Sequence, residues 1–341
     1  MQHLHHFGLV DDAFRNEPRL EFYLDTPQHR DALQRVERAV RQSKGLSVLI
    51  GDAGSGKTMV ARRLLDNLEE EVFDASMLVV LKGAVDCAWM LTQFAKQLDV
   101  ADPTIEREAL LGQVYEKLAI IREDGRHAVL IVDDAQALAA PETLAEVCGL
   151  LKLEYEDRPL LSMVLVAVPS LEQALANDPV LARRAAVRVR VAPLDAENTA
   201  AYLNHRIQRV HGNPEIFEAA AVLRLGELGG GMPGLINTLA DNALFEAFLC
   251  GRKRVSSIDI ERVYADLGWE LSPQLLGAAP APPQFNGTLQ PAAGDPGGHR
   301  PQAEVTSRVG QNSTSDGALT GPPKLEELEA DDELLVELID D

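Results

Sequence analysis

The chain has 341 residues, a formal net charge of −21 and a composition that is 46% hydrophobic and 25% charged. This composition is typical of a soluble globular protein, and no stretch reaches the roughly 18 apolar residues that a membrane-spanning helix needs. The acidic balance disfavours nucleic acid as a default partner, because phosphate backbones attract clustered lysine and arginine.

Short β-rich runs alternate with helical patterns from residue 46 to about residue 191. The runs cover residues 46–50, 77–81, 128–133, 162–168 and 187–191. Continuous apolar strands that are separated by helices indicate a parallel sheet with both faces covered. We therefore predict an α/β core with a parallel five-stranded sheet.

The pattern becomes helical throughout after this core. One helix begins at the capping residue Asp195, and Gly212 and Pro214 mark its end. Three further helices are predicted near residues 215–227, 234–249 and 257–267. These four helices would form a small α-helical lid.

The composition changes again beyond Pro273. Residues 273–323 contain nine prolines and eight glycines and show no periodicity, which predicts a disordered linker. Residues 324–341 contain nine acids and one lysine, with leucines near one helical face. Two interpretations stay open for this acidic segment: a solvated tail, or a short amphipathic helix that docks on a protein partner. The predicted division of the chain is 1–44 (lead-in and first helix), 45–193 (core), 194–270 (lid), 271–323 (linker) and 324–341 (acidic segment).

The first strand runs directly into a phosphate-binding loop with the sequence GDAGSGKT, residues 51–58. It matches the pattern GxxxxGK[ST] in the required strand–loop–helix setting, so that backbone amides and the helix N-terminus point at phosphate oxygens. Lys57 would reach the β- and γ-phosphates, and Thr58 would hold magnesium. The predicted cofactors are ATP and Mg²⁺. The residues predicted to bind the nucleotide here are Gly51, Asp52, Ala53, Gly54, Ser55, Gly56, Lys57, Thr58 and Met59.

The apolar run AVLIV, residues 128–132, ends in two adjacent acids. Asp133 is predicted to face magnesium, directly or through water. Asp134 would orient the attacking water, and the alternative is that it only caps the strand. Aspartate is one methylene shorter than the glutamate usual at this position, and a displacement of about 1 Å can lower a rate on the order of 100-fold.

These motifs and their order resemble those of the ExeA/GspA-type AAA+ ATPases of bacterial secretion and pilus systems, over about residues 7–269. The matching segments are FGLVDDAF, GDAGSGKT, VLIVDDAQAL and GGGMPGLINTLADNAL. The resemblance implies an AAA+ P-loop NTPase fold, an adenine pocket that includes Phe7, Gly8 and Leu9, and ATP sites shared between the copies of a homo-oligomer. It also implies that Arg184, with Arg183 as the substitute, is donated to a neighbouring subunit's site. The alternative for this pair is two surface arginines before a strand.

The chain departs from this family pattern at three places. Gly234 lies in the segment GMPGLIN where the family has a nucleotide-sensing arginine, and the fourth strand ends at Ser170 without the expected Asn or Thr. The third departure is Asp134. Because Lys57, Thr58 and Asp133 are retained, we expect tight magnesium-dependent ATP binding by an ATPase with slow turnover.

Three interpretations of function follow. The first is a cytoplasmic, oligomerising ATPase switch that assists a secretion, pilus or envelope-assembly apparatus. It would be recruited to the inner face of the inner membrane without inserting into it, and its acidic segment would bind a protein partner. The second is an ATP-dependent, DNA-bound transposition regulator resembling MuB and TniB, supported by the basic segment 183–190. The third is a nucleotide-locked scaffold.

The widely spaced Cys87, Cys148 and Cys250 indicate a reducing compartment.

Overall fold

A computed structural model describes residues 2–80 and 85–269 of the chain. The predicted linker and acidic segment lie outside the described residues. Within the described ranges, no helix combines the length and the apolar character needed to cross a membrane.

Within residues 2–80 and 85–269, seven strands form one large sheet and one small hairpin. In chain order they are β1 (Leu46–Ile50), β2 (Phe73–Val79), β3 (His127–Asp133), β4 (Glu154–Tyr155), β5 (Arg158–Pro159), β6 (Leu161–Ala167) and β7 (Ala185–Arg190). Strands β4 and β5 make a two-stranded antiparallel hairpin. The other five form a parallel sheet in the order β2-β3-β6-β1-β7, which confirms the predicted core. Strand β2 begins at Phe73 rather than at residue 77, because it pairs residue by residue with the whole of β3.

The described part of the chain contains twelve α-helices. They are α1 (Gln2–His6), α2 (Pro27–Arg41), α3 (Lys57–Asn67), α4 (Cys87–Gln97), α5 (Arg107–Glu123), α6 (Pro141–Leu150), α7 (Ser170–Ala176), α8 (Pro179–Arg184), α9 (Ala196–Arg209), α10 (Ala219–Leu228), α11 (Pro233–Leu249) and α12 (Ser257–Asp266).

The sheet separates two hydrophobic clusters, as the alternation of side chains along a strand requires. Leu130 and Val132 of β3 belong to the cluster that includes α4, α5 and α6. Val129 and Ile131 belong to the cluster that includes α2 and α3. Helices on both faces explain why β3 and β6 are buried along their entire length.

The lid consists of α9 to α12 and has a hydrophobic cluster of its own. Leu4, Phe7, Leu9 and Phe14 are buried in this lid cluster, although they lie near the start of the chain. The lead-in before α2 therefore packs with the lid, whereas α2 packs on the sheet. Helix α10 begins at Ala219, later than residue 215, because a 3₁₀ turn occupies residues 214–216.

Candidate functional site

The phosphate loop joins β1 to α3 in a conformation that depends on glycine. Gly54 and Gly56 have φ values of +77° and +89°, a left-handed region that residues with a Cβ rarely adopt. The buried ring of His29 lies beneath the loop and its Nε2 donates to the carbonyl of Ser55 at 3.1 Å. A Cβ at Gly56 would lie 2.9 Å from His29 Nε2, so the loop and the ring pack without spare room. Burial lowers the pKa of His29 and so favours the neutral ring, while the hydrogen bond to Ser55 opposes this effect.

Lys57, Thr58 and Asp133 come together where β3 ends beside the start of α3. The hydroxyl of Thr58 donates to Asp133 Oδ2 at 2.8 Å, and Lys57 Nζ donates to the carbonyl of Asp52 at 3.3 Å. Burial lowers the pKa of Lys57, and the nearby Asp133, Asp134 and Asp52 oppose that effect. Burial likewise raises the pKa of Asp133, and the hydrogen bond from Thr58 opposes it. A hydroxyl and a carboxylate in contact, next to an ammonium, are a donor set that fits magnesium and phosphate.

Asp134 is exposed and lies in the left-handed region, with φ of 56°. The side-chain amide of Gln136 donates to Asp134 Oδ1 at 2.9 Å, and Gln136 Oε1 accepts from the amide of Val168 at 3.3 Å. Val168 directly follows β6, the fourth strand of the sheet in chain order, and Ser170 begins α7. The polar side chain at the tip of this strand is therefore Gln136, which no local sequence motif indicates. The signal that could have found it is the adjacency of β3 and β6, which places the turn after one strand beside the end of the other.

A cleft of about 380 Å³ lies between the phosphate loop, the lead-in and the lid. The predicted residues that line it are Gly54, Gly56, Lys57, Thr58, Met59, Asp133 and Asp134. Gly51 and Ser55 belong to the loop and are buried. Residues 15–18 of the lead-in line the opposite wall, with Tyr202, Arg206, Pro233, Gly234 and Asn237 from the lid.

Phe7, Gly8 and Leu9 are not among the residues that line this cleft, and their assignment to an adenine pocket stays a prediction. Phe7 and Leu9 are buried in the lid cluster, because their apolar side chains pack among its helices. Arg206 fixes the next part of the lead-in instead, donating from Nε to the carbonyl of Ala13 at 2.6 Å and from Nη2 to that of Arg15 at 2.5 Å. This places residues 15–18 at the cleft.

Helix α11 of the lid meets the phosphate loop at Gly234. The amide of Gly234 donates to the carbonyl of Gly54 at 2.9 Å. A Cβ at Gly234 would lie 3.0 Å from Gly54 Cα, which is tighter than nine in ten Cβ contacts in proteins. The lid and the loop therefore touch through backbone atoms.

Arg184 does not line the cleft of its own chain. It is exposed at the end of α8, and its Nη1 donates to the carbonyl of Leu151 at 3.3 Å. Arg183 beside it is also exposed. Both arginines directly precede β7, which is an edge strand of the sheet.

The sequence is similar to one protein family and to known proteins. Residues 40–175 match the family described as an AAA domain. General secretion pathway protein A of Aeromonas hydrophila is 30% identical over 258 residues, which cover 74% of this chain and 46% of that protein. The chain thus spans less than half the length of this relative.

Solved structures share the fold at low identity. The ORC2 protein of Aeropyrum pernix in its ADPNP–ADP complexes has a TM-score of 0.59 and 14% identity, covering 76% of this chain and 72% of that one. Cdc6p from Pyrobaculum aerophilum has a TM-score of 0.58 and 19% identity, covering 76% of this chain and 71% of that one. The fold, the phosphate loop and the sequence similarity lead to one conclusion: the chain contains an AAA domain with the AAA+ P-loop NTPase fold, and it is similar in sequence to the ExeA/GspA-type ATPases.

Proposed function

We propose that this ATPase binds Mg-ATP in the cleft, hydrolyses it slowly and works as an oligomerising switch for a bacterial secretion, pilus or envelope-assembly apparatus. The contact between Thr58 and Asp133, beside the buried Lys57, is the observation that carries this proposal. The similarity to a general secretion pathway protein supports the class of apparatus.

The loop amides and three side chains each have one task in binding Mg-ATP. The amides of residues 51–58 and the ammonium of Lys57 bind the phosphates, and Thr58 and Asp133 hold magnesium. Magnesium, when bound, neutralises charge that develops on the β- and γ-phosphate oxygens. The burial of Lys57 and Asp133 excludes water from these charges and strengthens their interaction with a triphosphate.

The hydrolysis part of the proposal rests on Asp134. Its exposed carboxylate is free to accept a hydrogen bond from a water molecule, and the amide of Gln136 holds Oδ1 in place. The carboxylate of aspartate ends about 1 Å short of that of glutamate, and misplacement of that size costs on the order of 100-fold in rate. Turnover is therefore slow, while binding is unaffected.

The oligomer part of the proposal assigns Arg184 to the site of a neighbouring copy. Arg184 is exposed and absent from the cleft of its own chain, as a donated arginine must be. Arginines of this kind contribute about 10³–10⁵-fold to rate. Since each complete site then needs two copies, ATPase activity per protomer must rise with protein concentration.

The test is the ATPase rate per protomer over a range of protein concentrations, for wild type, Arg184→Ala and the matched control Arg183→Ala. Wild type and the control should show a rising rate, whereas Arg184→Ala should lose turnover by about 10³-fold or to the detection limit and keep its ATP affinity. A rate per protomer that is independent of concentration would contradict the shared site. Equal rates for all three proteins would contradict the role of Arg184.

A basic groove favours the DNA-bound regulator as a second candidate function. A groove of about 450 Å³ between α2 and β7 includes Arg35, Arg38, Lys44 and Arg188 among its lining residues. Arg35 pairs with Asp31, whereas no ion pair is found for the other three within residues 2–80 and 85–269. These cations could bind a phosphate backbone.

A gel-shift titration with random duplex DNA, with and without ATP, separates the two functions. A DNA-bound regulator should bind in an ATP-dependent manner, and its affinity should fall with a slope near −0.9 per phosphate contact in a plot of log K against log salt. The double variant Arg38→Ala/Lys44→Ala should then lower that slope. Absence of binding at physiological salt rejects this candidate.

A further inference from the structure

The contact between Gly234 and Gly54 joins the lid to the loop without any side chain. The hydrogen bond from the Gly234 amide to the Gly54 carbonyl measures 2.9 Å. A Cβ built on Gly54 would lie 3.4 Å from Gly234 Cα, and a Cβ built on Gly234 would lie 3.0 Å from Gly54 Cα. A side chain at position 234 would therefore push α11 away from the loop, so glycine permits the approach.

The described lid residues at the cleft also offer no available cation to a phosphate. Of the described lid residues that line the cleft, Arg206 alone is charged. Its guanidinium donates to two lead-in carbonyls, lies 4.4 Å from the centre of the Phe22 ring and belongs to a residue that is only 4% exposed. Arg206 therefore holds the lead-in and is not available to a nucleotide.

The neighbouring polar groups of the lid and the lead-in have partners as well. The hydroxyl of Tyr202 donates to Asn237 Oδ1 at 2.8 Å, and the amide of Asn237 donates to Asn16 Oδ1 at 3.0 Å. Arg15, on the lead-in, forms an ion pair with Asp11. These polar groups at the cleft are thus engaged by partners within the lid and the lead-in.

A ligand shifts a conformational equilibrium only through a difference in its interaction with the two conformations. ATP and ADP differ by the γ-phosphate, and both have the β-phosphate that a phosphate loop binds. Because the lid contacts the loop, and because Arg206 is the one charged residue among its described residues at the cleft and is engaged by the lead-in, the lid presents no available charged group that would distinguish the two nucleotides there.

We propose that lid closure in this protein follows the phosphate loop and does not discriminate between ATP and ADP, with Gly234 as the residue that determines this. This inference rests on the proposed function of the nucleotide site, and it states how the lid over that site responds to the bound nucleotide. Hydrolysis alone then leaves the lid closed, and loss of ADP is the event that opens it.

Hydrogen exchange of the Gly234 amide tests the inference directly, because this amide makes the hydrogen bond to the loop. The full-length protein is measured when saturated with Mg-ADP and when saturated with Mg-ADPNP, with saturation checked by calorimetry in the same samples. Protection of this amide should agree within about twofold between the two states. Protection that is at least about tenfold greater with ADPNP overturns the inference. If neither ADP nor ADPNP binds, the proposed function is overturned. This outcome differs from unequal protection by two bound nucleotides, which overturns only the inference about the lid.

Two variants and a matched control test the position itself. Gly234→Ala should lower the protection of this amide by about tenfold with either nucleotide, since its Cβ must displace the loop. Gly234→Arg places a cation beside the phosphates and should make the protection differ between ADP and ADPNP by at least about tenfold. Gly112→Arg, on the open face of α5 where a Cβ meets nothing within 4 Å, should behave as wild type. If Gly234→Ala and Gly234→Arg both behave like this control, position 234 does not determine the response.

Discussion

Asp133 and Asp134 are adjacent in the chain but lie in different surroundings. Asp133 is 3% exposed and accepts the Thr58 hydroxyl, whereas Asp134 is exposed and accepts the amide of Gln136. The left-handed backbone at Asp134 turns the second carboxylate away from the direction of the strand. Binding and hydrolysis should therefore respond separately to changes at these two residues.

Asp134→Glu should raise the turnover number at saturating Mg-ATP by about 10- to 100-fold, because the longer side chain recovers the missing reach toward water. ATP affinity should not change, since Asp134 is not assigned to binding. Steady-state kinetics and calorimetry measure the two quantities. A lower or unchanged turnover number would mean that Asp134 only caps the strand.

Gln136→Ala should lower kcat by about tenfold and leave KM unchanged, because it releases the carboxylate of Asp134 without touching the loop. Gln136→Glu should lower kcat at least as much, since a carboxylate cannot donate to Asp134 and repels it. A loss of thermal stability with kcat intact in both variants would show that Gln136 is a structural link only.

At the scale of elements, the strands were predictable and the packing of the lead-in was not. An apolar run such as residues 128–133 can be buried only between two layers of helices, so its place in a parallel sheet follows from the pattern. Phe7 and Leu9 carry no such periodic signal, and only the lid helices that surround them determine where they pack. The phosphate loop and Asp133 were predictable because a local motif defines them, whereas Gln136 and the Gly234–Gly54 contact depend on distant segments meeting.

The start of β3 contains a buried histidine that should make stability depend on pH. His127 Nε2 lies 2.9 Å from Ser162 Oγ, and the Arg122 guanidinium lies 2.8 Å from its Nδ1. Burial, with a smaller effect of Arg122, lowers the pKa of His127 from 6.5 to about 4. Between these two values the unfolded chain binds a proton that the folded chain does not. The stability that depends on a neutral His127 is therefore fully present above pH 6.5, and it is lost as the pH falls toward 4.

Lowering the pH from 7 to 5 should reduce the free energy of unfolding by about 2 kcal/mol through His127 alone, at roughly 1.4 kcal/mol for each pH unit below 6.5. His127→Gln should lack this part of the pH dependence, even if it is less stable at pH 7. Urea unfolding of both proteins at the two pH values measures the difference. An identical loss in wild type and variant would exclude His127 as its source.

At the scale of the whole molecule, nucleotide binding is proposed for the α/β core and the lid, and recruitment is proposed for the acidic segment 324–341. That segment lies outside the described residues, and its role as a partner-binding helix stays a prediction from its charge and leucine spacing. The division of the chain into five regions likewise stays a prediction.

Deleting residues 324–341 should abolish co-purification with the partner apparatus and leave the ATPase rate per protomer unchanged, because no assigned site residue is removed. A scrambled segment of equal composition is the matched control, since it keeps the charge and loses the helical spacing of the leucines. Partner recovery that is unaffected by the deletion would leave the segment a solvated tail.

Calorimetric titration of the purified protein with ATP is the most direct test of the central claim, which is that the cleft binds Mg-ATP through Lys57, Thr58 and Asp133. The account predicts saturable binding in magnesium buffer, much weaker binding when magnesium is chelated, and none for Lys57→Ala despite a native circular dichroism spectrum. Absence of binding by the wild-type protein in magnesium buffer, or equal binding by Lys57→Ala, would contradict it.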